Sequence, residues 1–273
     1  LVFSLMKRVL WMICLLAAGT AFAWPQSAAE HLQAGDRSFA RFDDAAALVE
    51  YEQAARLDPG SYEALWKTAR AYMNVGDLIP HSRKDHEEAQ RTCYRTGDQY
   101  LERAIRIDPD DSWTHFLKAA LLGRQVRSMG RKEQIEAAYA IKAEIDKALA
   151  LDPGNDLAWH ALAYWNRTLA EVGGAVRFLG SLVYGKIPKG SYEEAVRGFQ
   201  KAISLNPGYC NHHIELARTY LDMKKKDLAL KELEVALTCP DQTSMCSRFK
   251  NRARREIERL EGTVSGTGSS LED

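Results

Sequence analysis

"AISLNPGYCNHHIELARTYLDMKKKDLALKELEVAL", residues 202–237, reads as two amphipathic helices facing each other across a short turn. Leu216, Ala217 and Tyr220 fall on one face of the first helix, and Ala229, Leu233 and Ala236 on one face of the second, at helical spacing. The phrase that opens the stretch, "SLNPG" ending at Gly208, recurs as "RLDPG" ending at Gly60, "RIDPD" ending at Asp110 and "ALDPG" ending at Gly154. Proline cannot continue a helix but starts the next one well, and Asp or Asn before it favours a turn or cap. Each phrase is therefore punctuation between two helices.

Counting from each proline exposes the same buried pattern. Leu65, Ala69 and Tyr72 follow Pro59, and Leu101 and Ala104 precede Pro109. Ala119 and Leu122, then Ile145 and Ala148, make the third unit; Trp159, Leu162 and Ala163, then Ala195, Phe199 and Ala202, make the fourth. Gly35, Ala47, Tyr51 and Ala54 complete a first unit. The pattern resembles the tetratricopeptide repeat (TPR), an antiparallel helix pair of about 34 residues. Pro59, Pro109, Pro153 and Pro207 lie 50, 44 and 54 residues apart, so three units carry longer helices or extra segments. The expected fold is all-α: a TPR-like α-solenoid of about five units over residues 27–261. "MCSRFKNRARREIERLEG" would form its C-terminal capping helix, with Phe249, Ile257 and Leu260 inward. The Gly- and Ser-rich residues 262–273 read as a disordered tail.

A narrower resemblance lies in "LAWHALAYWNRTLAEV", "SYEEAVRGFQKAISLNPGY" and "ELARTYLDMKKKDLALKELEVAL", which are similar to the regulator of microtubule dynamics family from about Asn155 to Leu237. That resemblance implies an all-helical adaptor that binds proteins or lipids. The chain departs from the family in its N-terminal segment.

Met6 is the better start, and "MKRVLWMICLLAAGTAFAWPQ" then has the layout of a secretory signal peptide. Lys7 and Arg8 lead an apolar run too short for a comfortable span of about 20 residues, and Ala21-Phe22-Ala23 offers a cleavage site. Residues 1–23 are thus expected to be removed on export, to the periplasm or the extracellular space in a bacterium. An exported chain does not meet cytoplasmic tubulin, so the resemblance carries over the fold and the adaptor class alone. Cleavage would leave 35 basic against 37 acidic side chains, which gives no electrostatic case for nucleic acid. An oxidising space lets Cys93, Cys210, Cys239 and Cys246 pair. Three pairings are possible, of which Cys239 with Cys246 across "CPDQTSMC" is preferred; Cys93 and Cys210 also suit small buried positions.

Catalytic signatures such as GxSxG, HExxH, CxxC and a phosphate-cradling loop do not occur, and no cofactor or enzymatic activity is expected. His212 and His213 project about 100° apart on a helix, which suits packing better than a metal. "HSRKDHEEAQ" places His81 and Asp85 four residues apart, in a segment that reads as a solvated helix start. "GGAVRFLGSLVYGKIPKG", residues 173–190, interrupts the fourth unit. It reads first as an extra helix packed on its neighbours, and alternatively as a membrane-touching or lid segment through Phe178, Leu182 and Tyr184. The TPR register puts first-helix residues on the concave face and nominates Trp66, Arg70, Trp113, Phe116, His160, Tyr164, Arg167, Asn211 and Arg218. Arginines with aromatics on one curved wall suit a peptide carboxylate or an anionic head group. The function expected is an exported, non-catalytic scaffold binding a protein or peptide in its groove, with a membrane- or lipid-associating adaptor as the alternative.

Overall fold

A computed structural model describes residues 27–262. The signal segment 1–23 and the tail beyond Gly262 lie outside the described residues. Among those described there are twelve α-helices and no strand. They are α1 (Ala28–Ala40), α2 (Asp44–Leu57), α3 (Tyr62–Leu78), α4 (His86–Ile107), α5 (Ser112–Gln125) and α6 (Arg131–Leu151). After them come α7 (Asp156–Ala170), α8 (Gly174–Tyr184), α9 (Tyr192–Leu205), α10 (Cys210–Asp222), α11 (Lys226–Thr238) and α12 (Cys246–Glu261). The antiparallel pairs are α1/α2, α3/α4, α5/α6, α7/α9 and α10/α11, with α12 packed on the last pair as a cap.

The recurring phrase works through its side chains. Asp58, Asp108 and Asp152 end α2, α4 and α6, and their carboxylates accept the N–H of Gly60, Asp110 and Gly154. The proline between forbids another helical turn. Ser61, Asp111 and Asn155 then cap the next helix by accepting the N–H of Ala64, Thr114 and Ala158. Asn206 departs from this and donates its amide to Asp156, tying the end of α9 to the start of α7 within the fourth unit.

Small residues set the close approach of each pair. A Cβ on Gly35 would sit 2.4 Å from the Tyr51 ring, and one on Gly198 would sit 2.9 Å from Cβ of Ala163. Tyr51, Leu65, Leu101, Phe199, Leu216 and Leu233 fill the seams as fully buried side chains. The third unit corrects the sequence register by one residue: Leu121 is buried in place of Leu122, within a seam that also takes Leu117. The excess spacing goes into α4 and α6, of 22 and 21 residues, and into α8 inside the fourth unit.

Helix α8 overturns its first reading. It buries no side chain: Phe178, Leu179, Leu182 and Val183 are each 62–71% exposed. The helix is held away from the repeats by backbone rather than by packing. Arg177 donates to the carbonyls of Leu169 (2.6 Å), Val172 (2.9 Å) and Pro188, and Tyr139 donates to that of Lys186 (2.9 Å).

The two ends of the coil meet at one rim. Ser244, just before the cap, donates to Asp44 of the first unit, and Arg248 donates to the Asp77 carbonyl of the second at 2.7 Å.

Candidate functional site

Successive first helices touch one another, α3 with α5, α5 with α7, α7 with α10 and α10 with α12. The side on which they crowd is the inside of the curve. Every nominated residue lies on these helices, and the structure divides them into two groups.

Trp66, Arg70, Trp113 and Phe116 belong to a packed aromatic stretch. Trp66 meets Trp113 edge-on at 6.1 Å, Trp113 meets Phe116 at 5.2 Å, and Phe116 is core, 8% exposed. The Arg70 guanidinium lies 3.7 Å over the Phe39 ring, and its burial lowers the stability of the charged form. Phe116 is corrected as a groove contact, being core, while Trp66, Arg70 and Trp113 stay half-buried and pack on their neighbours. A hollow of about 560 Å³ beside them is lined by Asp108, Asp110, Asp111, Asp152 and Asp156, along the rim of stacked turns.

His160, Tyr164, Arg167, Asn211 and Arg218 converge with two residues the sequence reading passed over, Glu215 and Arg252. Arg167 is 4% exposed, and its Nη2 donates to Oε2 of Glu215 at 2.8 Å while Nη1 stands 3.7 Å from Asp222. Arg218 and Arg252 reach the other oxygen of Glu215 at 3.3 and 3.0 Å, and Arg252 also reaches Asn211 at 3.5 Å. Three guanidinium groups from α7, α10 and α12 thus share one carboxylate. Burial alone would raise the Glu215 carboxyl, but Arg167, Arg218 and Arg252 outweigh it and hold it at about 2. Glu171 and Asp222 at the edge are raised instead by burial. Arg167 is corrected as a partner contact, since its charge is committed inward and a carboxylate buried beside it needs that charge. Tyr164, 43% exposed with the Arg167 guanidinium 5.1 Å over its ring, and the partly exposed Arg218 and Arg252 make the open surface.

Beneath this surface His160 and His212 face each other with Nδ1 atoms 2.9 Å apart, and His212 Nε2 is 3.0 Å from Asp156. His213 contacts Glu232 at 2.7 Å and the Pro207 carbonyl at 3.2 Å. Both residues of the histidine pair are packing groups with partners. Burial, then the neighbouring His212, lowers His160 to about 3, and burial lowers His212 against the pull of Asp156. A histidine normally titrates near 6.5, so the unfolded chain takes up these protons first. Stability is therefore full above about pH 6.5 and is lost as pH falls toward the folded value. Between pH 7 and pH 5 the His160 contribution should cost about 2 kcal/mol, read as a fall in the urea midpoint. His160→Phe should flatten that fall.

His81 and Asp85 do not share a helix face. Helix α4 begins at His86, Asp85 pairs with Arg83 at 2.6 Å, and the rings of His81 and His86 lie 4.4 Å apart. Cys239 and Cys246, the preferred disulfide, are both free thiols, as are Cys93 and Cys210. Among the described residues no cluster of His, Cys, Asp and Glu is arranged to hold a metal ion, and no helix is long and apolar enough to cross a membrane.

The fold is shared with TTC0263, a TPR protein of Thermus thermophilus, whose crystal structure superposes with a TM-score of 0.59 at 15% identity, covering 84% of this chain and 100% of that one. Mouse regulator of microtubule dynamics protein 1 is 30% identical over 214 residues, which cover 78% of this chain and 67% of the mouse protein. Human regulator of microtubule dynamics protein 2 is 27% identical over 199 residues, or 72% of this chain; the match spans about half of the human protein, 46%. The family model described as regulator of microtubule dynamics protein 1-3 matches residues 29–261, reaching well beyond the C-terminal segments that carried the resemblance. A match that runs from the first described helix to the last makes this chain a member of the regulator of microtubule dynamics family.

Proposed function

We propose that this chain is an exported, non-catalytic scaffold that holds a segment of a protein partner against its concave wall, with a carboxylate of the partner set on Arg218 and Arg252 beside Tyr164. The TPR-like fold suggests a protein-binding scaffold, since stacked helix pairs present extended concave surfaces. One observation carries the site: guanidinium groups from three successive inner helices converge on Glu215, and two of them remain partly open to solvent. Guanidinium binds carboxylate through paired, charge-assisted hydrogen bonds, and an exposed tyrosine supplies rigid contact area. The names of the relatives refer to microtubule dynamics, and export would keep this chain from cytoplasmic tubulin, so no microtubule role is proposed. Capture of the partner by the chain lacking residues 1–23 should fall at least about tenfold in the Arg218→Ala, Arg252→Ala double variant with Arg167 left in place, a loss of about 1.4 kcal/mol. Equal capture by both proteins would remove the site.

Helix α8 favours a second reading, association with a membrane surface. Residues 172–192 contain no acidic side chain before Glu193 and carry Lys186 and Lys189 beside the helix. Val176, Phe178, Leu179, Leu182, Val183 and Tyr184 wrap nearly all round it. A short helix with so much exposed apolar surface and basic residues beside it can sink that surface into the boundary between head groups and acyl chains. Eleven residues span about 16 Å, well short of a bilayer. The chain should float with vesicles containing phosphatidylglycerol, and replacing residues 174–184 by a Gly-Ser linker should abolish flotation while leaving the urea midpoint unchanged. Failure of the unaltered chain to bind either anionic or neutral vesicles would reject this reading.

A further inference from the structure

Cys210 opens α10 and Cys246 opens α12, and both are fully buried in one core cluster that also includes Cys239. The three are not equivalent. The Cys210 and Cys246 side chains interact with each other, and the Cys246 sulfur accepts the N–H groups of Gln242 at 3.3 Å and Thr243 at 3.4 Å. The Thr243 hydroxyl lies 3.5 Å away from it as well. Cys239 turns elsewhere, donating to the carbonyls of Val235 at 3.5 Å and Pro207 at 3.7 Å. Cys246 is thus a sulfur ringed by donors at a helix N-terminus, the setting that favours a thiolate, with Cys210 buried in the same core cluster. These donors lower its pKa against burial, while burial and Cys246 push Cys210 up to about 12.

We propose that Cys210 and Cys246 form a disulfide when the chain folds in the presence of a small-molecule disulfide, pinning the cap helix to the fifth unit. This inference stands apart from the identity of any partner. The Cys246 thiolate attacks one sulfur of the oxidant RSSR, forming a mixed disulfide and releasing RS⁻. Cys210 then gives up its proton and attacks the Cys246 sulfur, displacing the second RS⁻. The two cysteines lose two electrons and two protons, and RSSR becomes two RSH. Both sulfurs are covered in the folded protein, so the exchange belongs to folding, before α12 docks. Once docked, the bond is shielded from thiols and holds Arg252 of α12 over Glu215.

The test is to refold the reduced chain in oxidised and reduced glutathione and map its disulfides by mass spectrometry of a non-reduced digest. A peptide joining Cys210 to Cys246 is the expected product, with a urea midpoint that falls on adding reductant. Cys239→Ser should keep that fall, and Cys210→Ser should abolish it. A peptide joining Cys239 to Cys246, any other pairing, or four free thiols in the refolded unaltered chain would overturn the proposal, and this map does not depend on whether the variants fold.

Discussion

Arg167→Ala should destabilise the protein by about 3 kcal/mol, whereas Arg218→Ala should cost less than about 1 kcal/mol. Both residues contact Glu215, but they stand differently toward solvent. Arg167 and Glu215 each have side chains 5% exposed, and loss of one partner of a buried pair leaves the other charge without compensation. Arg218 and Arg252 still face the orphaned carboxylate, which places the cost at the low end of the range for broken buried pairs. Replacing both Arg167 and Glu215 by apolar residues of similar volume should recover part of the loss, because neither charge then remains to be solvated. Urea unfolding followed by helical circular dichroism reads all three variants. This is also why the binding test leaves Arg167 in place, since its replacement would change the fold together with the surface.

Phe199→Ala should cost about 3–5 kcal/mol and Phe178→Ala less than about 0.5 kcal/mol. Phe199 is fully buried in the seam between α7 and α9, with the His160 ring edge-on at 5.1 Å and with Ala163, Ala195 and Ala202 in the same fully buried seams. The backbones there already approach to the limit at Gly198 and Ala163, so the walls cannot close over a cavity. Phe178 on α8 is 66% exposed and leaves no cavity when truncated. The same substitution on the two helices therefore separates a packed repeat helix from a projecting one, and paired urea melts measure the difference.

That contrast shows which parts of the molecule were legible. The Asp-Pro phrases are local devices: a carboxylate accepting an N–H two residues on, followed by proline, needs no distant partner to be read. The buried alanines and most of the large residues between them follow from helical spacing; Leu121 is buried in place of Leu122, and Tyr72, Trp159 and Leu162 are only half-buried. The site was legible only as a wall. A first-helix arginine looks the same in sequence whether it faces a partner or a carboxylate 48 residues away, as Arg167 does. Arg252 was missed because the cap was read as a shield rather than as part of the wall. Glu215 could have been found, since it stands one turn before Arg218 on the same helix face. Apolar composition showed that α8 wants cover, but not that the repeats fail to provide it.

The central claim is that partner contact lies on the inner wall of the coil and not on its outer helices. Site-specific photo-crosslinking measures this directly. A benzophenone side chain at Tyr164, exposed on α7, is compared with one at Val235, exposed on the outer helix α11, in the presence of the captured partner. Adducts from position 164 and none from position 235 are the expected result. Adducts from position 235 alone, or equal yields from both, would contradict the account.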